Sequence, residues 1–252
     1  MIKGLYAAAS AMLANLSRHG VLSHNISNLD TPGFKQVLTT LDDFLKTSVV
    51  TPPGPTAGPS YLRQIGELGL GVETSPEITD FTPGGLRQTG QPLDIAINGP
   101  GFFRVNTPNG ERYTRDGRFL RDVQGNLVTV DGYFVLNDGG QPIRLDEGEV
   151  AVGPDGTIFI NGLPSGAIGL AAFTDPEAEL TRDLPNTFAA SGAPTSTVRG
   201  TVQQGFLEMS NANPTQIMTQ MVAVSRAYEA AQQMVQTQDE LLGKAIASLG
   251  SF

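Results

Sequence analysis

Residues 213–249, NPTQIMTQMVAVSRAYEAAQQMVQTQDELLGKAIASL, contain no glycine or proline between Pro214 and Gly243. Asn213 is a favourable helix N-cap, and proline is well tolerated at the first helical position that follows it. Apolar and small residues then recur in alternating steps of four and three, which predicts a helix about 50 Å long that packs against another helix. The predicted interface positions are Ile217, Met221, Val224, Tyr228, Val235, Leu242 and Leu249, with Ala231, Gln238 and Ala245 between them.

The first 29 residues show the same periodicity and predict a second interface helix. Few charged residues lie on its other face, so the helix is poorly suited to standing alone in water. The turn-forming residues Pro32 and Gly33 follow it and predict the end of the helix. Its predicted interface positions are Ile2, Leu5, Met12, Leu16 and Ile26, with Ala9, His19 and Ser23 in the same seam.

The middle of the chain has a different character. Residues 34–45 carry scattered apolar side chains and predict either an extended arm or a further helical piece. The uncharged stretch 51–60 contains four prolines, which is typical of an irregular linker. We therefore predict an N-terminal helix and arm at 1–45, a linker or loop at 46–68, a β-rich domain at 69–204 and a C-terminal helix at 205–252.

Short alternating segments and tight turns indicate that the β-rich domain is antiparallel, either a barrel or a sandwich. Leu93–Ile97 alternates as a half-buried strand does. Phe102–Val105 and Arg112–Thr114 flank Asn109-Gly110, a strong hairpin signal. The predicted fold class is thus α+β: long terminal helices paired like a coiled coil, carrying an inserted antiparallel all-β domain.

The composition argues against several classes of function. The net charge is −9, and the 16 basic residues are scattered, whereas nucleic-acid binding requires clustered Lys and Arg. The absence of Cys excludes disulfides, thiolate metal sites and a cysteine nucleophile. No apolar run approaches the 18 residues of a transmembrane helix. The N-terminus has too short an apolar core for a secretory signal peptide.

No catalytic, cofactor or metal site is predicted. His19 and His24 are five residues apart, whereas a metal pair on one helical face needs a spacing of three or four. Gly99-Pro-Gly101 lacks the third glycine of a nucleotide-binding loop, so a structural turn is the better interpretation. We expect no enzyme activity, no cofactor and no small-molecule substrate.

Three stretches, taken together and in this order, resemble the family of flagellar rod and hook axial proteins. The first is NISNLDTPGFK at residues 25–35, which contains Asn25, Asn28, Pro32, Gly33 and Phe34. The second is GPGFFRV at 99–105, with Gly99, Gly101, Phe102 and Phe103, followed by YTRDGRF at 113–119. The third is QGFLEMSNAN at 204–213, followed by RAYE at 226–229 with Arg226 and Glu229.

The resemblance implies a structural subunit of the bacterial flagellar basal-body rod, exported by the flagellar type III apparatus without a cleaved signal peptide. Its terminal helices would form the inner core of a hollow tube that crosses the periplasm, and its β-domain would lie outside. Its partners would be copies of itself and other axial proteins of rod and hook. Arg226 and Glu229 would either pair along one helix or reach neighbouring subunits.

The sequence distinguishes less clearly between the possible positions of the subunit along the axial structure. The segment between Phe34 and Gly71 resembles the loop of distal-rod subunits, whereas residues 82–94 look as much like a proximal-rod subunit. We favour the distal rod, with a proximal-rod or hook-type subunit as the alternative. A β-rich enzyme or binding domain with helical oligomerisation ends, and a different secreted filament or adhesin, are the remaining alternatives.

Overall fold

The structure is a computed structural model that describes residues 2–51, 63–194 and 200–249. The chain forms two compact units. Unit 1 contains Met1–His24, Leu38–Glu77 and Thr215–Phe252, and unit 2 contains Asn25–Val37 and Ile78–Pro214. The predicted order of an N-terminal helix, a β-rich middle and a C-terminal helix is confirmed, so the fold class is α+β.

The described residues form the helices α1 (Ile2–Ser27), α2 (Pro176–Glu179) and α3 (Pro214–Leu249). Helix α3 begins at Pro214, as predicted, because proline fits the first turn, where its missing N–H has no helical partner. Gly243 does not end it. Within the described residues, no helix combines the length and the apolar character that crossing a membrane requires.

The strands in the described part of the chain are β1 (Val37–Leu38), β2 (Leu41–Thr51), β3 (Arg63–Thr74), β4 (Ile78–Thr79), β5 (Leu86–Gln88), β6 (Ile95–Asn98), β7 (Phe102–Thr107), β8 (Gly110–Thr114), β9 (Phe119–Arg121), β10 (Leu127–Thr129), β11 (Phe134–Val135), β12 (Val150–Val152), β13 (Thr157–Ile160), β14 (Leu163–Ala167), β15 (Leu170–Ala171), β16 (Leu180–Leu184), β17 (Thr187–Ala190), β18 (Thr201–Gln204) and β19 (Phe206–Glu208).

Strands β2 and β3 form a long antiparallel hairpin in unit 1. The predicted linker at 46–68 is therefore narrower than expected: residues 46–51 and 63–68 are paired strand, and most of the proline-rich stretch falls in 52–62, outside the described residues. The hairpin contacts α1, where the Val72 N–H donates to Ser10 Oγ at 3.1 Å. Gly71 permits this approach, because a Cβ there would lie 2.9 Å from Ser10 Oγ.

Unit 2 is built on an eight-stranded antiparallel sheet of order β16-β17-β8-β7-β11-β10-β9, with β15 also paired to β7. The predicted hairpin is present: β7 and β8 pair from Phe103 opposite Thr114 to Thr107 opposite Gly110. Gly110 has φ +98°, which glycine adopts without strain. A three-stranded sheet β12-β13-β14 and the pairs β5–β19 and β6–β18 complete the unit.

The main core of unit 2 lies between these sheets. It brings together buried apolar side chains from strands far apart in the sequence, each at most 7% exposed. This packing accounts for the alternating pattern of the strands, because every second residue points into the core. Its members include Ile95, Phe103, Val105, Phe119, Leu127, Val135, Ile158, Ile168, Leu170 and Val202.

Candidate assembly site

The segment that follows α1 is fixed within unit 2 by the side chain of Asn25. Its Nδ2 donates to the Val37 carbonyl at 2.7 Å, and its Oδ1 accepts from the Val37 N–H at 2.9 Å. Asn25 is 2% exposed, so both bonds are shielded from water. Hydrogen bonds of this kind contribute about 1 kcal/mol each, and a buried amide without them would be costly. Asn25 thus ties the end of α1 to the start of β1.

The turn at Pro32 and Gly33 explains why glycine stands there. Gly33 has φ +68°, and a Cβ on it would overlap the backbone of Arg115. Its N–H donates to the Glu208 carbonyl at 2.7 Å. The Pro32 carbonyl accepts from Asn186 Nδ2 at 2.9 Å. This turn therefore lies directly against the residues that precede α3.

Next to the turn, Lys35, Arg115 and Glu208 form a buried charged cluster. Lys35 Nζ lies 2.6 Å from Glu208 Oε1, and Arg115 Nη1 lies 3.1 Å from Oε2. The three side chains are 0%, 5% and 1% exposed. We call these three residues the charged cluster.

Backbone groups satisfy several further polar atoms of the charged cluster, whereas the buried Nε of Arg115 has no hydrogen-bond partner among the described residues. Lys35 Nζ also donates to the Thr82 carbonyl at 2.7 Å, and the Gly84 N–H donates to Glu208 Oε1 at 2.9 Å. Arg115 Nη2 donates to the Gly99 carbonyl at 2.8 Å. The Glu208 carboxylate thus accepts from Lys35, Arg115 and the Gly84 N–H.

Burial dominates the electrostatics of both cations. Loss of hydration lowers the pKa of Lys35, and Glu208 opposes that effect through its charge and hydrogen bond. Burial likewise lowers the pKa of Arg115, again against Glu208. Without the Glu208 carboxylate, two like charges would stay buried with no counterion, which costs about 3–5 kcal/mol.

Arg182 holds the same segment from the side. Its guanidinium lies 5.0 Å from the ring centre of Phe34 and 5.4 Å from that of Phe188. Its Nη2 donates to the Lys35 carbonyl at 2.7 Å. Cation–π contacts in such a desolvated setting contribute about 2 kcal/mol. Phe34, 1% exposed, is thus fixed in place by an arginine from β16.

Asn211 joins the segments next to the two long helices. Its Oδ1 accepts from the Gln36 N–H at 2.8 Å, and its Nδ2 donates to the Asp80 carbonyl at 2.9 Å. Asn211 lies three residues before α3, and Gln36 lies nine residues after α1. The segments 28–37 and 205–213, which we call the helix roots, are therefore bonded to each other inside unit 2.

The motif at residues 99–105 has a structural role in unit 2. Gly99 and Gly101 have φ +108° and +140°, and Gly200 passes so close to Gly99 that a Cβ there would lie 3.1 Å from its Cα. Phe102 lies beneath the Arg115 guanidinium at 5.0 Å. Phe103 packs edge-on against Phe119 in the main core at 5.0 Å. The structural turn predicted at Gly99-Pro-Gly101 is what the structure contains.

In unit 1, α1 and α3 run in opposite directions and share a groove. A Cβ on Gly4 would lie 3.3 Å from the Gln238 side chain, which places the start of α1 near the later part of α3. The groove has a volume of about 400 Å³. It is lined on α1 by Asn15, Leu16 and His19, and on α3 by Val224, Tyr228 and Glu229.

Within the chain, the less exposed positions of α3 coincide with the predicted stripe, and their assignment to a subunit interface stays a prediction. The positions shielded from solvent include Ile217, Met221, Val224, Tyr228, Ala231, Val235, Gln238, Leu242 and Ala245. The side chain of Leu249 lies outside the described residues. Arg226 and Glu229 are both exposed, and no ion pair joins them within the described part of α3. Their assignment to subunit contacts stays a prediction.

On α1 the buried stripe differs in phase from the predicted interface. Leu16 is 58% exposed, whereas Leu5, Met12 and Ile26 are half-buried and the side chain of Ile2 is outside the described residues. The alternating steps of three and four residues fit two adjacent stripes of α1 equally well. The small alanines in one of these stripes allow α1 to pack more closely against its neighbour. The α1 residues that are buried within the chain are Ala8, Ala14, Asn15, Val21, Leu22 and Asn25.

The charged cluster was not predicted as a unit, although its members lie in the three motifs. A charged residue directly beside buried aromatic or apolar residues, as in Phe34-Lys35 and Leu207-Glu208, is the signal that would have identified two of them. Among the described residues, no group of three or more His, Asp or Glu side chains is placed to hold a metal ion.

The chain thus combines long terminal helices with a β-rich unit in which their roots are bonded together, an arrangement that suits a structural subunit. The chain matches three families in the expected order: "Flagella basal body rod protein" at residues 5–35, "Flagellar hook protein FlgE/F/G D1 domain" at 96–160 and "Flagellar basal body rod FlgEFG protein C-terminal" at 203–248.

Curated relatives agree over nearly the full length. The chain is 33% identical to the flagellar basal-body rod protein FlgG of Bacillus subtilis, with 96% of this chain and 97% of the relative covered. It is 34% identical to FlgF of Caulobacter vibrioides over 100% of both chains, and 35% identical to FlgF of Rhizobium meliloti over 99% of both. The chain belongs to the flagellar basal-body rod family, which places it in the flagellar basal body.

Proposed function

We propose that this chain is a subunit of the flagellar rod that polymerises through its terminal helices into a hollow, torque-transmitting shaft. The supporting observation is the apolar surface that unit 1 leaves uncovered. Large apolar side chains on the helices of soluble proteins are normally buried against a partner. They are Tyr6, Leu13 and Leu16 on α1, and Met218, Val222, Met234, Leu241 and Ile246 on α3, each between 48% and 70% exposed.

Neighbouring subunits would cover these side chains. The two helices already contact each other through one stripe, so the exposed side chains form further stripes that face outward. We propose that α1 and α3 pair in the manner of a coiled coil and then pack against the helices of identical subunits and of other axial proteins of rod and hook. Contacts of this heterologous kind generate a helical tube when the rotation does not close a ring.

The two units have different tasks in this proposal. Unit 1 would form the core of the shaft and resist torsion through many interlocked helices. Unit 2 would hold the two helix roots together. Delivery would proceed through the flagellar export apparatus without a cleaved signal peptide, and the assembled shaft would cross the periplasm.

We place the subunit in the distal part of the rod, with the proximal rod or hook as the alternative. The long β2–β3 hairpin, within the segment that resembles the loop of distal-rod subunits, supports this position. Overall identity does not decide between positions, because relatives named FlgG and FlgF match at 33% and 34–35%.

A single introduced cysteine tests both the assembly and the position. The chain contains no Cys, and Val123 is 99% exposed in unit 2, so Val123→Cys gives one site for a maleimide-gold label. Electron microscopy of labelled basal bodies should show gold on the rod beside the hook. Gold at the membrane-ring end would assign the proximal rod instead. Basal bodies without the chain would contradict the proposed function; unmodified protein serves as the labelling control.

A further inference from the structure

Several strand pairs of unit 2 join strands that are neighbours in the sequence. β7 pairs with β8, β9 with β10, β12 with β13, β13 with β14, and β16 with β17. Pairs of this kind close short loops, and short loops carry a small entropic cost. They can therefore form early, before distant parts of the chain have met.

Residues 201–211, which we call the C-terminal latch, pair with strands that lie much farther away in the sequence. β18 pairs with β6, placing Val202 opposite Ile97, and β19 pairs with β5, placing Leu207 opposite Arg87. In both pairs more than a hundred residues separate the partners. Within the described residues, β5 and β6 have no other strand partner, although the Ile95 N–H of β6 also donates to the Gly117 carbonyl at 3.0 Å.

The latch also carries the counterion of the charged cluster. Glu208 contacts Lys35 and Arg115, which lie 173 and 93 residues away in the chain. Before Glu208 is in place, burying both cations would bring two like charges into an apolar site, which is strongly unfavourable. The segment containing Lys35 therefore cannot settle into unit 2 ahead of the latch.

Side chains of the latch bridge the remaining sheets. Gln204 Oε1 accepts from the Val152 N–H at 3.0 Å, and Gln204 Nε2 donates to the Pro92 carbonyl at 2.7 Å. The Val202 N–H donates to the Pro154 carbonyl at 2.9 Å. The three-stranded sheet is thus bonded to the rest of unit 2 through the same eleven residues.

We propose that the C-terminal latch closes unit 2 last, so that the local hairpins form first and the helix roots are joined only when residues 201–211 dock. Unit 2 can then finish folding only when nearly the whole chain is present. A chain delivered from its N-terminus would hold Lys35, Arg115 and the strands β5 and β6 open until then. That use rests on the proposed function, whereas the order of closure is a property of the chain itself.

Pulsed hydrogen exchange during refolding of the full chain, resolved by mass spectrometry of peptides, tests this order directly. Amides of residues 102–107 and 110–114 should become protected before those of 201–208. Simultaneous protection of both regions, or earlier protection of 201–208, would overturn the proposal. The result does not depend on whether the chain enters a rod, so this test and the gold-label experiment can fail independently.

Matched variants provide a second readout. Leu207→Ala and Val202→Ala remove buried latch side chains and should speed unfolding about tenfold while refolding changes less than about twofold, because the latch is unformed in the transition state. Val105→Ala, in the β7–β8 hairpin, should instead slow refolding about tenfold. Refolding slowed as much by the latch variants as by Val105→Ala would contradict late closure. Two latch variants are used so that the failure of one to fold leaves the other informative.

Discussion

Lys35 Nζ and Glu208 Oε1 lie 2.6 Å apart, although 173 residues separate the two side chains in the chain. One residue belongs to the segment after α1 and the other to the segment before α3. Their contact, completed by Arg115, holds the two helix roots next to each other within unit 2. Four predictions test this arrangement and the assembly that it supports.

Replacing Glu208 by Gln should lower the free energy of unfolding by about 3–5 kcal/mol, because two buried cations lose their counterion. Urea denaturation of the full chain, followed by circular dichroism, measures the change. Glu111→Gln is the matched control: its partner Arg104 lies 2.7 Å away, but Glu111 is 35% exposed. A pair of that exposure contributes less than about 1 kcal/mol. Equal losses in the two variants would refute a special role for the charged cluster.

Gly33→Ala should destabilise the protein by about 2–4 kcal/mol, because it combines a left-handed φ of +68° with an overlap of the new Cβ and the Arg115 backbone. Gly85→Ala is the control, since no atom lies within 4 Å of the Cβ position there. Thermal unfolding should leave Gly85→Ala within about 0.5 kcal/mol of the unsubstituted protein. A neutral Gly33→Ala variant would show that the turn is not packed as described.

The phenol of Tyr113 should titrate at an unusually high pH. Burial, followed by the Glu111 charge and hydrogen bond, raises its pKa from 10.0 to about 12. A raised pKa in the folded state means that the stability from the neutral phenol is fully present below pH 10 and is lost as the pH rises through about 12. Phenolate absorbance should show a step near pH 12 that Tyr113→Phe removes, while circular dichroism monitors folding. An unchanged titration in the variant would contradict the buried hydrogen-bonded phenol.

Leu13→Glu should block entry into the rod while leaving the isolated chain folded. Leu13 is 70% exposed on α1, so a carboxylate is tolerated in the monomer but not in a helix–helix interface. Basal bodies from cells that express the variant should lack it by mass spectrometry, and motility should be lost. Val123→Glu makes the same change at an exposed site of unit 2 and should be incorporated. Normal incorporation of Leu13→Glu would exclude this face of α1 from assembly.

The two terminal helices differ in how far sequence predicts their packing. On α3 the positions shielded within the chain, from Ile217 to Ala245, are those that the spacing predicts, whereas Met218, Val222 and other apolar side chains of this helix are exposed. On α1 two adjacent stripes are apolar or small, and periodicity alone does not select between them. The structure buries Ala14 and Leu22 within the chain and leaves Leu16 exposed. The exposed stripe is thus free to contact another subunit.

Long-range features were harder to predict from local patterns. The β7–β8 hairpin follows from Asn109-Gly110, because its turn and strands are adjacent in the sequence. The contact between Lys35 and Glu208 has no such local signal, since nothing near either residue specifies the other. The β2–β3 hairpin was missed for a different reason: the proline-rich composition of 51–60 dominated the interpretation of the strands that flank it.

Amide hydrogen exchange on the purified monomer and on isolated basal bodies tests the central claim, assembly through the terminal helices. We predict that residues 2–24 and 215–249 exchange quickly in the monomer and are strongly protected in the rod. Core strands of unit 2, such as residues 102–107 and 127–129, should be protected in both and serve as the internal reference. Equal protection of the helices in monomer and rod would contradict assembly through these surfaces.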